Sequence, residues 1–271
     1  MKLNNPKIAV VLHLYYPDMW GYFKVRLKTL LEYDATTQFF ITLPEDKIKF
    51  RKTILSYFPN AKVILVKNKG RDVLPFIDIL NEIVNKYDFL LKIHSKKSKH
   101  RLDGSEWLED LVESLISDKK DILSSTIAVL QKEDTGIIGP SGQYLPLAIN
   151  LPANGKYIRK FLRKKYHYFK TRKVLKNSFD YGFFAGTMFW ARLDALKPII
   201  NFKISEADFS EETGQIDGTL AHALERLLCL IPELDGKRMY EIDKKGTIVQ
   251  IPYSSDNIPE WSDLHNSERI N

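Results

Sequence analysis

Apolar residues recur along this chain in two periods. Continuous runs occupy 7–14 (KIAVVLHL), 39–43 (FFITL), 63–66 (VILV) and 87–93 (YDFLLKI) and predict strands, the first buried on both faces to judge from its unbroken apolar character. Between them, helical spacing predicts a helix over 20–33, a charged amphipathic helix over 47–58, and another carried by Val73, Phe76, Ile77, Leu80, Ile83 and Val84, with Pro75 in its first turn. Residues 63–98 therefore read as strand, turn, helix, strand. Such a crossover sends the carboxyl ends of its parallel strands to one edge, where open α/β sheets bind ligands. Helices over 103–117 and 122–131, a short strand over 136–140, a strand over 183–191, a helix starting at Asp194, a helix over 219–230 and a strand over 247–253 complete the reading. The expected class is α/β, with a Rossmann-like, mostly parallel sheet flanked by helices. With no internal repeat, low-complexity segment or linker, 1–271 reads as a single domain.

Composition narrows this picture. At 271 residues with 44% hydrophobic and 12% aromatic content, the chain can bury a large core. Its single cysteine, Cys229, excludes a disulfide framework and a zinc site built on cysteines. No apolar run approaches the length needed to span a bilayer and 1–7 lacks a signal-peptide pattern, so the expected compartment is the cytosol. A formal charge of +7 favours an anionic partner: nucleic acid, an acidic membrane surface or a phosphorylated substrate. The densest basic stretch is 157–176 (YIRKFLRKKYHYFKTRKVLK), interleaved with Tyr, Phe and Leu.

Candidate chemistry clusters where the strands stop. Asn68, Gly70, Arg71 and Asp72 follow the third run; Lys92 closes the fourth, followed by His94, Ser95, Lys96 and Lys97; His13 leaves the first at the same edge. Arg71 offers a planar fork suited to two phosphate oxygens, and the lysines act as compact charges. The Asn68-x-Gly70 turn can aim backbone N–H groups at a phosphate or a base. Asp72 suits a ribose or nucleobase, or a plain pairing with Arg71. The plainer reading of the lysines is a solvated strand end.

Five segments together resemble the rhamnan synthesis protein F family: HLYYPDMW (13–20), NKGRDVLPF (68–76), KIHSKKS (92–98), GTMFWAR (186–192) and QIDGTLAHALERLL (215–228). The resemblance implies a bacterial glycosyltransferase of GT-A-like fold that moves a sugar, rhamnose from dTDP-rhamnose or a hexose from a UDP-sugar, onto a cell-wall or O-antigen polysaccharide. It also implies a lipid-linked or polysaccharide acceptor, a cytoplasmic location with peripheral contact at the inner face of the plasma membrane left open, a nucleotide-sugar-binding half over about 1–140, and an acceptor-side half over about 141–271. GT-A enzymes end the fourth strand in an Asp-x-Asp pair that holds a divalent metal. Here that position reads Lys92-Ile93-His94, which leaves dependence on magnesium or manganese open. Donor-binding roles thus fall to His13, Asn68, Gly70, Arg71, Asp72, Lys92, His94, Ser95 and Lys96. By similarity to inverting relatives, Asp217 is the expected general base, with Glu211, Glu212 and His222 as fallbacks, although an aspartate there also suits a helix N-terminus. Trp190 and His222 are expected on the acceptor side. The competing reading is a basic module that binds nucleic acid through 157–176. A nucleotidyltransferase would need a carboxylate pair and a glycine-rich loop, neither of which appears in 8–20.

Overall fold

The computed structural model describes residues 5–95, 104–117, 119–149 and 151–252. The first strand, Ile8–His13 (β1), is buried at every position, as its unbroken apolar run requires. After helix Trp20–Tyr33 (α1), strand Gln38–Pro44 (β2) pairs parallel to β1. Helix Arg51–Tyr57 (α2) leads to strand Lys62–Val66 (β3), and helix Val73–Ile83 (α3) crosses over to strand Phe89–His94 (β4), parallel to β1 on its other side. The expected crossover is thus present. Helices Gly104–Leu115 (α4) and Lys120–Leu130 (α5) precede strand Thr135–Pro140 (β5).

A short strand Tyr144–Pro146 (β6) leads to helices Leu151–Lys165 (α6) and Tyr168–Lys176 (α7), then to strand Gly182–Phe184 (β7), which pairs with β6. Strand Phe189–Arg192 (β8), helix Leu193–Ile200 (α8), helix Leu220–Leu234 (α9) and strands Arg238–Ile242 (β9) and Ile248–Gln250 (β10) follow. The main sheet has the order β10-β9-β5-β8-β4-β1-β2-β3. β8 and β10 run against the other six strands, so the sheet is mixed but mostly parallel. Because β8 lies between β4 and β5, the later part of the chain is built into the same sheet as the earlier part.

Helices cover both faces, and strand parity decides which residue meets which layer. Ile8, Val10 and Leu12 pack with Trp20, Phe23, Ile54, Leu111 and Leu123, from α1, α2, α4 and α5. Ala9, Val11 and Leu90 pack with Phe76, Ile77, Leu196, Leu224 and Leu227, from α3, α8 and α9. Lys92 and His94 share the parity of Leu90, so they leave the sheet on the α3–α9 side.

Local differences from the expected elements have physical causes. The run 183–191 is two strands in two sheets, broken by a turn in which Gly186 and Thr187 adopt φ of 83° and 52°. Residues 47–58 form a 3-10 turn, Glu45–Phe50, before α2. The basic stretch is two helices, and α9 runs four residues beyond the expected end through Pro232. Strands β6 and β9 were not expected; three and five residues long, they owe their place to partners distant in sequence.

Candidate functional site

The carboxyl ends of β1 and β4 lie side by side, with His13 in register with His94. The loop entering β8 reaches the same edge because β8 is antiparallel to β4. Asp72, one residue before α3, turns its carboxylate into this edge. Its Oδ2 contacts Lys92 Nζ and lies 3.3 Å from His94 Nδ1. Lys92 is 1% exposed; its ammonium also donates to the Thr187 carbonyl at 2.8 Å and sits 5.3 Å from the centre of the Phe76 ring. Burial alone would raise the Asp72 carboxyl, but His94 and Lys92 outweigh it and hold the group well below the usual carboxylate range. His13 Nδ1 lies 2.7 Å from Thr42 Oγ1, and burial pushes the imidazole down to about 4, with His94 and Lys92 acting in the same direction against Asp72.

This cluster corrects several expectations. Lys92 is an internal charge neutralised by Asp72, not an open phosphate clamp, since taking its ammonium away would leave a buried carboxylate uncompensated. Asp72 pairs with Lys92 and His94, not with Arg71. Ser95 fastens strand ends: its Oγ accepts from the Tyr16 N–H at 2.9 Å, and its N–H donates to the His13 carbonyl at 2.9 Å. Gly70 has φ of 65°, and a Cβ there would stand 2.5 Å from Leu74 Cβ and 2.8 Å from the Phe209 ring, so close packing accounts for it. Asn68 is exposed on the same loop. Trp190 is 1% exposed, and its indole N–H donates to the Leu115 carbonyl at 2.8 Å; buried in the core, its ring has no face to offer a sugar. Lys96 and Lys97 lie outside the described residues.

A second array faces this cluster from the later half of the chain. Arg71 holds φ of 55°, a left-handed conformation that costs an arginine on the order of 1 kcal/mol. Its guanidinium reaches Glu212 Oε2 at 3.4 Å, the Gln215 carbonyl, and His222 Nε2 at 2.9 Å. A guanidinium only donates, so His222 Nε2 accepts, while Nδ1 lies 2.8 Å from Thr219 Oγ1 and 3.3 Å from the Thr219 backbone nitrogen. Burial lowers the His222 pKa, the direction that keeps the neutral form.

Asp217 stands just ahead of α9, its Oδ1 3.8 Å from His222 Nδ1. Oδ1 accepts from Asn154 Nδ2 at 2.9 Å and from the Gly218 N–H at 2.7 Å, and Oδ2 accepts from Arg226 Nη2 at 3.3 Å. Burial acts upward on this carboxyl, but the Asn154 hydrogen bond, Arg226 and the Gly218 N–H hold it below its ordinary value. Asp217 does not cap α9 with its side chain: Thr219 is the capping residue, exchanging bonds with His222. Thr187, Asn154 and Arg226 join the site without having been expected, and Glu225, on the same helix as His222, faces it. Thr187 Oγ1 donates to Glu225 Oε1 at 2.6 Å, while its carbonyl holds Lys92, which ties the two arrays together. The sequence signal for Thr187 was the glycine interrupting an apolar run; for Asn154, 63 residues from Asp217, there was none.

Residues between α8 and α9 strap this edge. Glu206 meets Lys67 at 3.0 Å, Glu211 meets Lys69 at 3.1 Å with a backbone bridge between the two, and Glu212 meets Arg71. Beside the strap, a cleft of about 360 Å³ is lined by Thr42, Leu65, Lys69, Leu74 and Asp78. A divalent cation does not fit the donor set at the end of β4: an ammonium occupies the carboxylate there, and among the described residues no group of three or more His, Cys, Asp or Glu could hold a metal.

The sequence profile of rhamnan synthesis protein F matches residues 1–236. The chain is 30% identical over 256 residues to the uncharacterized protein WxcX of Xanthomonas campestris pv. campestris strain B100, covering 93% of this chain and 35% of that protein, and equally to WxcX of strain ATCC 33913. It therefore spans about a third of the length of these relatives. Among solved structures, Staphylococcus aureus TarS 1–349 superposes with a TM-score of 0.46 at 12% identity, covering 88% of this chain and 58% of TarS. The same protein in complex with UDP-GlcNAc gives 0.47 at 13%, covering 96% and 64%.

Proposed function

The chain belongs to the rhamnan synthesis protein F family, and from that premise we propose that it is a glycosyltransferase of cell-surface polysaccharide synthesis that moves a sugar from a nucleotide diphosphate onto a glycan hydroxyl. The observation that carries this reading is the array Arg71–His222–Asp217, which sets a guanidinium fork and a carboxylate side by side at the edge where the parallel strands end.

In the reaction, the bond between the anomeric carbon and the diphosphate oxygen breaks while the acceptor oxygen bonds to that carbon. Negative charge grows on the departing diphosphate, and the acceptor hydroxyl sheds a proton. Arg71 receives the diphosphate, exchanging the Glu212 carboxylate for phosphate oxygens. Asp217 receives the proton on Oδ2, whose lone pairs meet a single donor, while Oδ1 is fixed by two. Neutral His222 aligns the two groups without adding a second cation beside Arg71. In this scheme the Arg71 guanidinium takes the leaving-group charge. A dTDP-sugar or UDP-sugar is the donor class, rhamnose the sugar that the family name favours, and a lipid-linked glycan the acceptor class.

The test is a panel of nucleotide-sugars, scored by thermal shift and then by transfer. Asp217→Asn is expected to lower turnover about 10²- to 10⁴-fold while donor affinity stays. Arg71→Ala is expected to weaken donor binding. An Asp217→Asn enzyme turning over at the parent rate ends the base assignment, and no stabilisation by any nucleotide-sugar ends the transferase reading.

A further inference from the structure

Residues 151–179 contain ten Lys and Arg and no Asp or Glu. The structure places seven of these cations in two sets. One set fastens α6 and α7 to the body: Lys164 Nζ donates to the Phe202 carbonyl at 3.1 Å, Lys165 pairs with Asp235 at 2.8 Å, and Lys170 donates to the Leu234 carbonyl at 3.2 Å. The other set, Arg159, Arg163, Arg172 and Lys176, lines a cleft of about 430 Å³ between the two helices, together with Tyr168 and Thr171. Among the described residues none of these four meets a carboxylate. Four like charges converging without an acid repel one another, an arrangement that an anionic ligand relieves.

Three aromatic side chains stand out near this cleft. Tyr168 is 52% exposed, Phe169 77% and Phe179 57%. The Phe169 ring lies 5.8 Å from that of Tyr168, which lines the cleft, and Phe179 follows the end of α7 by three residues, so exposed apolar rings accompany the cationic cleft. Cations with exposed aromatics form the pattern of a surface that sits on an anionic bilayer, rings in the headgroup layer and charges on its phosphates. A single-stranded nucleic acid would instead need cations spaced along a groove with rings facing into it. Here the cations converge on one cleft, and Phe169 lies outside its lining.

We infer that the α6–α7 face docks the protein on a membrane leaflet, with the phosphate of an anionic phospholipid headgroup held among Arg159, Arg163, Arg172 and Lys176. Docking would place the active edge close to the bilayer, because α6 also carries Asn154, whose amide holds Asp217; Arg163 lies about 14 Å further along the helix, at 1.5 Å per residue. The inference stands apart from the transferase reading, since it concerns adsorption and not turnover.

The test is co-sedimentation of the full chain with vesicles of phosphatidylcholine alone or with 30% phosphatidylglycerol added, a composition on the order of natural anionic leaflets. Binding is expected only to the anionic vesicles. Arg163→Glu with Arg172→Glu is expected to weaken it by about 100-fold or more, and Phe169→Ala by about tenfold. Arg51→Glu with Lys52→Glu, equal in charge change but on α2 across the sheet, is expected to weaken it several-fold at most. Circular dichroism melts check that each variant is folded, and Arg163→Gln with Arg172→Gln replaces the reversal if it is not. Equal loss in the α2 control overturns the proposal in favour of diffuse charge. So do equal affinity for soluble glycerophosphoglycerol, tighter binding to RNA than to vesicles, or no vesicle binding at all.

Discussion

Cations gather at two places in this molecule, and the two are built in opposite ways. At the strand ends, Lys67, Lys69, Arg71 and Lys92 each meet an acid: Glu206, Glu211, Glu212 and Asp72. Around the α6–α7 cleft, Arg159, Arg163, Arg172 and Lys176 meet none among the described residues. Neutralised cations are held at fixed positions and belong to the architecture or to a prearranged site. Cations left without acids lower stability slightly through mutual repulsion and keep their field available to something outside the fold. Net charge does not distinguish these cases; the partners do.

The contrast can be broken most sharply at Lys92. Replacing it with Met leaves Asp72 buried without its ammonium and is expected to lower unfolding stability by about 3–5 kcal/mol. Arg163→Gln in the cleft is expected to stay within about 0.5 kcal/mol of the parent. Urea unfolding of both variants checks this, and similar losses would erase the distinction.

Next in size is acid sensitivity. His13 is depressed to about 4 from 6.5, so the unfolded chain takes up this proton at a higher pH than the folded one. Its stabilising contribution is fully present above pH 6.5 and is lost as pH falls toward 4, by about 3 kcal/mol in all at 1.36 kcal/mol per pH unit. His222, also lowered, adds to this in the same direction, and Asp72 extends the loss below its ordinary value of 3.8. Unfolding midpoints measured from pH 7 to 4 should slope downward, and His13→Gln should flatten the slope.

The smallest effect concerns the strap. Glu212→Gln removes an anion from Arg71 and should tighten nucleotide-sugar binding by roughly two- to fivefold, in line with the modest energy of a partly exposed pair. Weaker binding in a titration would mean that Glu212 helps hold the donor and does not compete with it.

Much of this architecture could be read directly from the chain. The apolar runs 7–14, 39–43, 63–66 and 87–93 became β1 to β4 because continuous apolar character has few other folded solutions, although β3, at the sheet edge, is only partly buried, and the crossover through α3 follows from its helical spacing. The meeting of His13, Asp72, Lys92 and His94 followed from the strand ends sharing one edge. Which of them stays open did not follow. Lys92 and Lys69 look alike in sequence, yet one is sealed under Thr187 and Phe76 and the other lies beneath the strap. Trp190, in a glycine-broken aromatic run, could have faced a sugar or the core, and β8's place between two strands put it in the core.

What the sequence determined by itself was the period of its apolar residues, hence the βα units, the edge at which their polar ends collect, and the family whose motifs they carry. Tertiary structure alone decided the pairings: Asp72 with Lys92, Arg71 with His222, Asn154 with Asp217. Periodicity is local and sets a backbone, whereas a charged or polar group settles with whichever complementary partner folding brings within about 4 Å, and that partner can lie 151 residues away, as His222 does from Arg71.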